Sequence, residues 1–171
     1  SLRIVDTSDQ STRILESVPN SSVVASSGPL VAFSANTPSG PTVNITSADS
    51  DLTLTILLDP RSSEGIEESI RNSGTLLDFG NSTIVELVMD SNWLVATVDV
   101  GPFNRTIMVD TSSINQTLIS NPRWDSSSPS IGEGKVAFLQ VTRDSIISAS
   151  QDSLRNNDVY VYYIESAETR Q

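Results

Sequence analysis

Two runs near the end of the chain, Ser128-Pro-Ser-Ile-Gly-Glu-Gly-Lys-Val-Ala-Phe-Leu-Gln-Val141 and Asn157-Asp-Val-Tyr-Val-Tyr-Tyr-Ile-Glu-Ser-Ala-Glu-Thr-Arg-Gln171, decide the fold class. Each holds a short apolar segment of strand length rich in β-branched and aromatic residues. Gly132-Glu133-Gly134 ahead of the first is turn chemistry. In an extended chain Tyr160 and Tyr162 share one face and Tyr163 takes the other. A polar insert around Asp144 to Leu154 separates the runs as an extra loop.

Upstream the same order returns. Leu2 to Leu15 reads as a hairpin with its turn at Asp6 to Ser11. Val23-Val24-Ala25, Leu30 to Phe33, Thr42 to Thr46 and Leu52 to Leu58 are strand-like, divided by Gly-, Pro- and Asn-containing turns. Asp59 to Gly74 differs, with Ile66 and Ile70 four apart, Glu64, Glu67 and Glu68 early, and Gly74 after Arg71. That pattern predicts one short helical insert over 59–75, its acidic residues placed for the helix dipole and its end marked by glycine. Strand signals resume at Leu76-Leu77, Ile84 to Met89, Trp93 to Val100, Arg105 to Asp110 and Gln116 to Ile119. Asn121 to Trp124 reads as a turn, and Asp125 to Pro129 as a polar bridge.

Composition narrows the function classes. The chain has 171 residues, 37% of them hydrophobic, and a net charge of −11, with Lys135 its single lysine. Nucleic acid and anionic membrane surfaces require Lys/Arg stripes, so both are disfavoured as partners. The acidity serves solubility, with an acidic surface for cations or basic partners as the alternative. With no Cys and no His in the chain, disulfide scaffolds, thiolate zinc sites, Cys nucleophiles and His-based triads are excluded. No apolar run approaches the ~20 residues of a membrane-spanning helix. Ser1 fits either a processed N-terminus or a boundary within a longer chain.

The strand runs also repeat. Ile4-Val5-Asp6-Thr7-Ser8 matches Met108-Val109-Asp110-Thr111-Ser112, and Val31-Ala32-Phe33, Val95-Ala96-Thr97 and Val136-Ala137-Phe138 align as a second set. A period of roughly 40 residues with about four short strands per period is a propeller-blade signature. On Gly132 to Phe138 and Asn157 to Tyr162 the chain resembles TolB-type β-propeller repeats, with Tyr163 where that pattern usually carries an acidic residue. The resemblance implies a scaffold for protein or ligand recognition. The expectation is therefore an all-β, propeller-like array of short antiparallel strands, either one domain over 1–171 or about three blade-equivalents of a larger propeller. A β-sandwich or jelly roll is the alternative. On this reading the chain opens in a third strand and closes in a third strand, leaving Leu2 to Val5 and Val159 to Ile164 as open edges.

Five Asn-x-Ser/Thr sequons, at Asn20, Asn44, Asn81, Asn104 and Asn115, are glycosylation candidates in a secreted protein. Asp49 and Asp51 are candidate Ca²⁺ ligands in a turn, since that ion takes several hard oxygens, although turn aspartates commonly bond their own backbone. No other cofactor is indicated. Leu2, Ile4, Trp124, Tyr160 and Tyr162 are candidate contact residues. Catalysis would require paired carboxylates, Ser-Lys or a metal; Lys135 has no Ser-x-x-Lys motif around it, and carboxylate pairs are not recognisable by spacing alone. The sequence thus points to a secreted or cell-surface structural and interaction module, not an enzyme, that self-assembles or docks on a larger envelope or surface protein through strand edges. A recognition propeller fragment binding a ligand or peptide is the alternative, and a non-catalytic part of a secreted hydrolase a third.

Overall fold

The computed structural model describes residues 2–5, 12–15, 22–47, 53–60, 82–101, 103–122, 124–141 and 158–171. The fold is all-β. A hairpin of β1 (Leu2–Val5) and β2 (Thr12–Leu15) precedes three four-stranded antiparallel sheets. Sheet I runs β3 (Val24–Ser27), β4 (Leu30–Thr37), β5 (Gly40–Ser47), β6 (Thr53–Leu57). Sheet II runs β7 (Thr83–Asp90), β8 (Trp93–Asp99), β9 (Asn104–Asp110), β10 (Asn115–Leu118). Sheet III runs β11 (Asp125–Gly132), β12 (Lys135–Val141), β13 (Asp158–Tyr163), β14 (Glu168–Arg170). Each sheet is a meander in which every strand pairs with its neighbour in sequence. The helix expected over 59–75 falls almost wholly on 61–81, outside the described residues.

Alternation within sheet II builds the core. Leu94, Ala96, Val98, Ile107 and Val109 point one way and join Ala32, Val43, Ile45 and Ile56 of sheet I in one apolar cluster. Val95 and Met108 point the other way and join Val136, Phe138 and Tyr162 of sheet III in a second. Because successive strand residues face opposite sides, all residues from Leu94 to Val98 and from Arg105 to Val109 are buried. The first strands of adjacent sheets also approach one another, β3 with β7 and β7 with β11. Polar staples cross both junctions. The Ser91 amide donates to Ser27 Oγ at 2.9 Å, and the Ser128 amide to Glu86 Oε2 at 2.9 Å. Gln116 copies a strand pairing with its side chain, donating from Nε2 to Leu57 O at 2.8 Å and accepting from the Asp59 amide at 2.9 Å.

Pairing register fixes the repeat residue by residue. Val5 pairs with Thr12 as Val109 pairs with Gln116, and Arg3 with Ile14 as Ile107 with Leu118. The hairpin β1–β2 therefore repeats β9–β10, the last two strands of a sheet. Tyr163 pairs with Glu168 as Asp110 pairs with Asn115, so the Tyr found where the repeat expects an acid occupies the same corner. One alignment needs correction. Trp93 pairs with Asp110 just as Lys135 pairs with Tyr163 and Leu30 with Ser47. Leu94, not Val95, is therefore the counterpart of Val31 and Val136. The shift matters because a one-residue slip moves a side chain to the opposite face.

Two further expectations change. Residues 158–163 are not an open edge: β14 pairs Glu168, Thr169 and Arg170 with Tyr163, Tyr162 and Val161. The four-residue turn Ile164 to Ala167 folds that strand back, so the last sheet has a fourth strand and ends at β14. Asp125 to Pro129 is no bridge but the start of β11, which carries a register shift between Ser127 and Ser130 and a positive φ of 54° at Ser128. Ser and Pro carry no strand periodicity. Pairing with β12 and the Glu86 carboxylate impose the conformation.

The β9–β10 turn closes with the Ile114 amide donating to Asp110 O at 2.7 Å, which holds exposed Ile114 at φ 62°. Ala167, at the same place in the β13–β14 turn, has φ 54°. A β-branched residue there is strained, since the left-handed region costs an L-residue about 1–2 kcal/mol. Ile114→Gly is therefore expected to raise stability by about 1 kcal/mol, read as a higher urea midpoint at unchanged slope.

Candidate interaction surface

The first-to-second and third-to-fourth strand turns of a meander fall at the same end of its sheet. At that end of sheets II and III they frame a groove of about 520 Å³, lined by Trp93, Glu133, Gly134, Lys135, Tyr163, Ile164, Glu165 and Ser166. Its position follows from local chemistry. Glu133 and Gly134 adopt φ 50° and 71°, as a tight hairpin turn needs, and the Ile164 amide donates to Gly134 O at 3.0 Å. Tyr163 is half-buried between cations from both neighbouring strands. Lys135 Nζ lies 5.8 Å and Arg170 Cζ 5.0 Å from its ring centroid. Arg170 also donates to Glu168 Oε2 at 2.9 Å, an exposed ion pair that adds little stability. Trp93 and Tyr163 supply apolar area while Glu133, Glu165 and Lys135 set charges of both signs at the rim. Such a groove suits binding of a small ligand or peptide segment.

The contact candidates occupy different places. Trp124 packs on Tyr160, ring centroids 5.8 Å apart at 56°, and Tyr160 stacks on Phe138 at 6.1 Å and 24°. Tyr162, 5% exposed, belongs to the core between sheets II and III. Burial pushes the Tyr162 hydroxyl up, and burial with nearby Asp158 does the same for Tyr160. These three aromatics thus join β13 and the Asn121 to Trp124 turn to the interior. Leu2 and Ile4 lie in β1, Ile4 half-buried. The groove residues come from three separate segments, which is why no linear motif announced them; the single lysine, at a turn preceding a strand, was the one available sign.

Arg105 is the most unusual charge among the described residues. It is 2% exposed, with Nη1 donating to Pro60 O at 3.0 Å, Nη2 to Pro122 O at 3.4 Å, and Nε without a partner. Desolvation by burial lowers its pKa. The two carbonyls follow sheets I and II, so the guanidinium ties both chain exits to β9.

Three sequons can be placed. Asn44 is half-buried in β5 and its Oδ1 accepts from Thr55 Oγ1 at 2.6 Å. Asn104 is half-buried, its backbone N–H donating to Asp125 Oδ1 at 2.8 Å, and Thr106 is fully buried with its hydroxyl on Ser126 Oγ. Asn115 is exposed, directly after the 111–114 turn. Asn20 and Asn81 lie outside the described residues, as do Asp49 and Asp51. Among the described residues no group of three or more acidic side chains gathers as a metal site. Asp110 shows what a turn aspartate does here. Oδ1 accepts from the Ser112 amide at 2.9 Å and hydroxyl at 2.6 Å, and Oδ2 from Ser113 Oγ at 2.8 Å.

Comparison with known proteins returns no matching family model and no matching curated protein.

Secretory expression is expected to place an N-glycan on Asn115 and none on Asn104, as glycopeptide mass spectrometry will show. The Ser112 and Ser113 hydrogen bonds hold the Asp110 carboxyl below its usual range. A depressed folded pKa stabilises fully above the unfolded value, near ~3.9, and this contribution drains as pH falls through the folded one. The stability advantage of the wild type over Asp110→Asn should accordingly be constant above about pH 5 and shrink below about pH 4, measured by urea unfolding at each pH.

Proposed function

We propose that this chain is a structural and interaction module of propeller type, secreted or on the cell surface, which acts by assembling with copies of itself or with a larger surface protein. The propeller arrangement is supported by connectivity: each sheet is completed before the next begins. Sandwiches of the jelly-roll and immunoglobulin kind pass strands between two sheets by Greek-key connections. Matching registers in β1–β2, β9–β10 and β13–β14 support a common repeating unit. The observation that carries the assembly reading is that sheet II is buried on both faces by its neighbours. A unit of this kind is built to be stacked on both sides. Strand edges are the weaker route, since β14 is short and bears the exposed Glu168–Arg170 pair, features that discourage edge pairing.

A second reading, a recognition module, draws on the groove between Trp93 and Tyr163. One measurement separates the two. Light scattering on material eluting from a sizing column should give a mass above the 18.4 kDa of one chain and rising with concentration. A constant single-chain mass would count against assembly and favour the groove.

A further inference from the structure

Register equivalence identifies two open faces of opposite kind. In sheet II, Val95, Thr97, Thr106 and Met108 form the face that sheet III covers. Their counterparts in sheet III, by pairing, are Ala137, Leu139, Val159 and Val161. All four lie outside both core clusters; Val159 is 56% exposed, and Ala137, Leu139 and Val161 are half-buried. This face, on which no other described sheet packs, is more apolar than its counterpart in sheet II, because Leu139 and Val159 stand where sheet II has two threonines. Exposed apolar surface that continues the pattern of an internal interface marks a docking surface.

The opposite kind of face is the one by which sheet II packs on sheet I. There Val109 and Ile107 belong to the core shared with sheet I, and Leu118 packs against it. In β1–β2 the counterparts are Val5, Arg3 and Ile14. Val5 is 52% and Ile14 51% exposed. Among the described residues a single chain thus presents both kinds of face that its own sheets bring together internally, one on the hairpin and one on sheet III, and no other described sheet packs on either.

We propose that the Arg3–Val5–Ile14 face of the β1–β2 hairpin docks on the Ala137–Leu139–Val159–Val161 face of sheet III in a second copy of this chain. The contact is head to tail, so it leaves a free face at each end and grows into a ring or an open array. It rests on the assembly reading above and specifies its surface and partner.

The test uses two variants of exposed residues, Val5→Glu with Ile14→Glu on the hairpin and Val159→Glu on sheet III, with circular dichroism to verify folding. Each variant alone should lose association at least tenfold by light scattering. Mixed in equal amounts, they should form a species of two chains and no larger, because one keeps a working sheet III and the other a working hairpin. Val159→Thr, which restores the residue type of Thr106, should retain association and so separates a lost surface from a lost fold. Wild-type assembly that survives either Glu variant overturns the proposed surface while leaving the assembly reading standing. Monomeric variants that stay monomeric on mixing also overturn it. A wild type that never associates overturns both.

Discussion

Burial of sheet II on both faces is the constraint on which the rest of the structure depends. A sheet packed on one side needs apolar residues only at alternate positions. β8 and β9 have every central position buried, so the two sets of alternating side chains serve different cores. One set meets sheet I and the other sheet III. Burying a side chain of Val or Leu size stabilises by roughly 1.5–3 kcal/mol, and sheet II contributes on both sides at once. Polar residues in this layer are therefore tied down. Thr106 shares its hydroxyl with Ser126, and Arg105 gives two donors to backbone carbonyls. A buried guanidinium with no carboxylate partner among the described residues is costly, so its placement at the exits of two sheets gives it a positioning role for both chain segments.

The same constraint explains why register persists while side chains drift. Three hairpins keep one pairing frame although their corners carry Asp110 in one case and Tyr163 in another. In the first, a carboxylate closes the turn through Ser112 and Ser113. In the other, the corner residue is an aromatic flanked by Lys135 and Arg170, and it lines the groove. A different residue at the turn corner thus exchanges a carboxylate that closes its turn for an aromatic that lines a groove, with the strand pairing unchanged.

Aromatic residues divide by parity along β13. Tyr160 and Tyr162 face inward toward Phe138 and the sheet II core, while Tyr163 opens to the groove. The split was readable from spacing. Which face was the inner one was not, because that depends on the position of sheet II. Trp124 illustrates the same limit: a Trp after an Asn-Pro-Arg turn looks like an exposed contact until Tyr160 is found 5.8 Å away.

The sequence by itself determined the all-β class, most strand positions, the turn chemistry, the internal repeat and the exclusion of His and Cys chemistry. These are local properties, set by period-two patterning, β-branched runs and residues that tolerate turn conformations. Only the tertiary structure decided the register of the Val95 segment, the strand nature of Asp125 to Pro129, the fourth strand Glu168 to Arg170, the groove and the two open faces. Each depends on what lies across a pairing or a packing contact from residues distant in sequence. Asp125 to Pro129 is the plainest case: a Ser- and Pro-rich segment becomes a strand because β12 and Glu86 supply partners for its backbone, and nothing in its own composition encodes them.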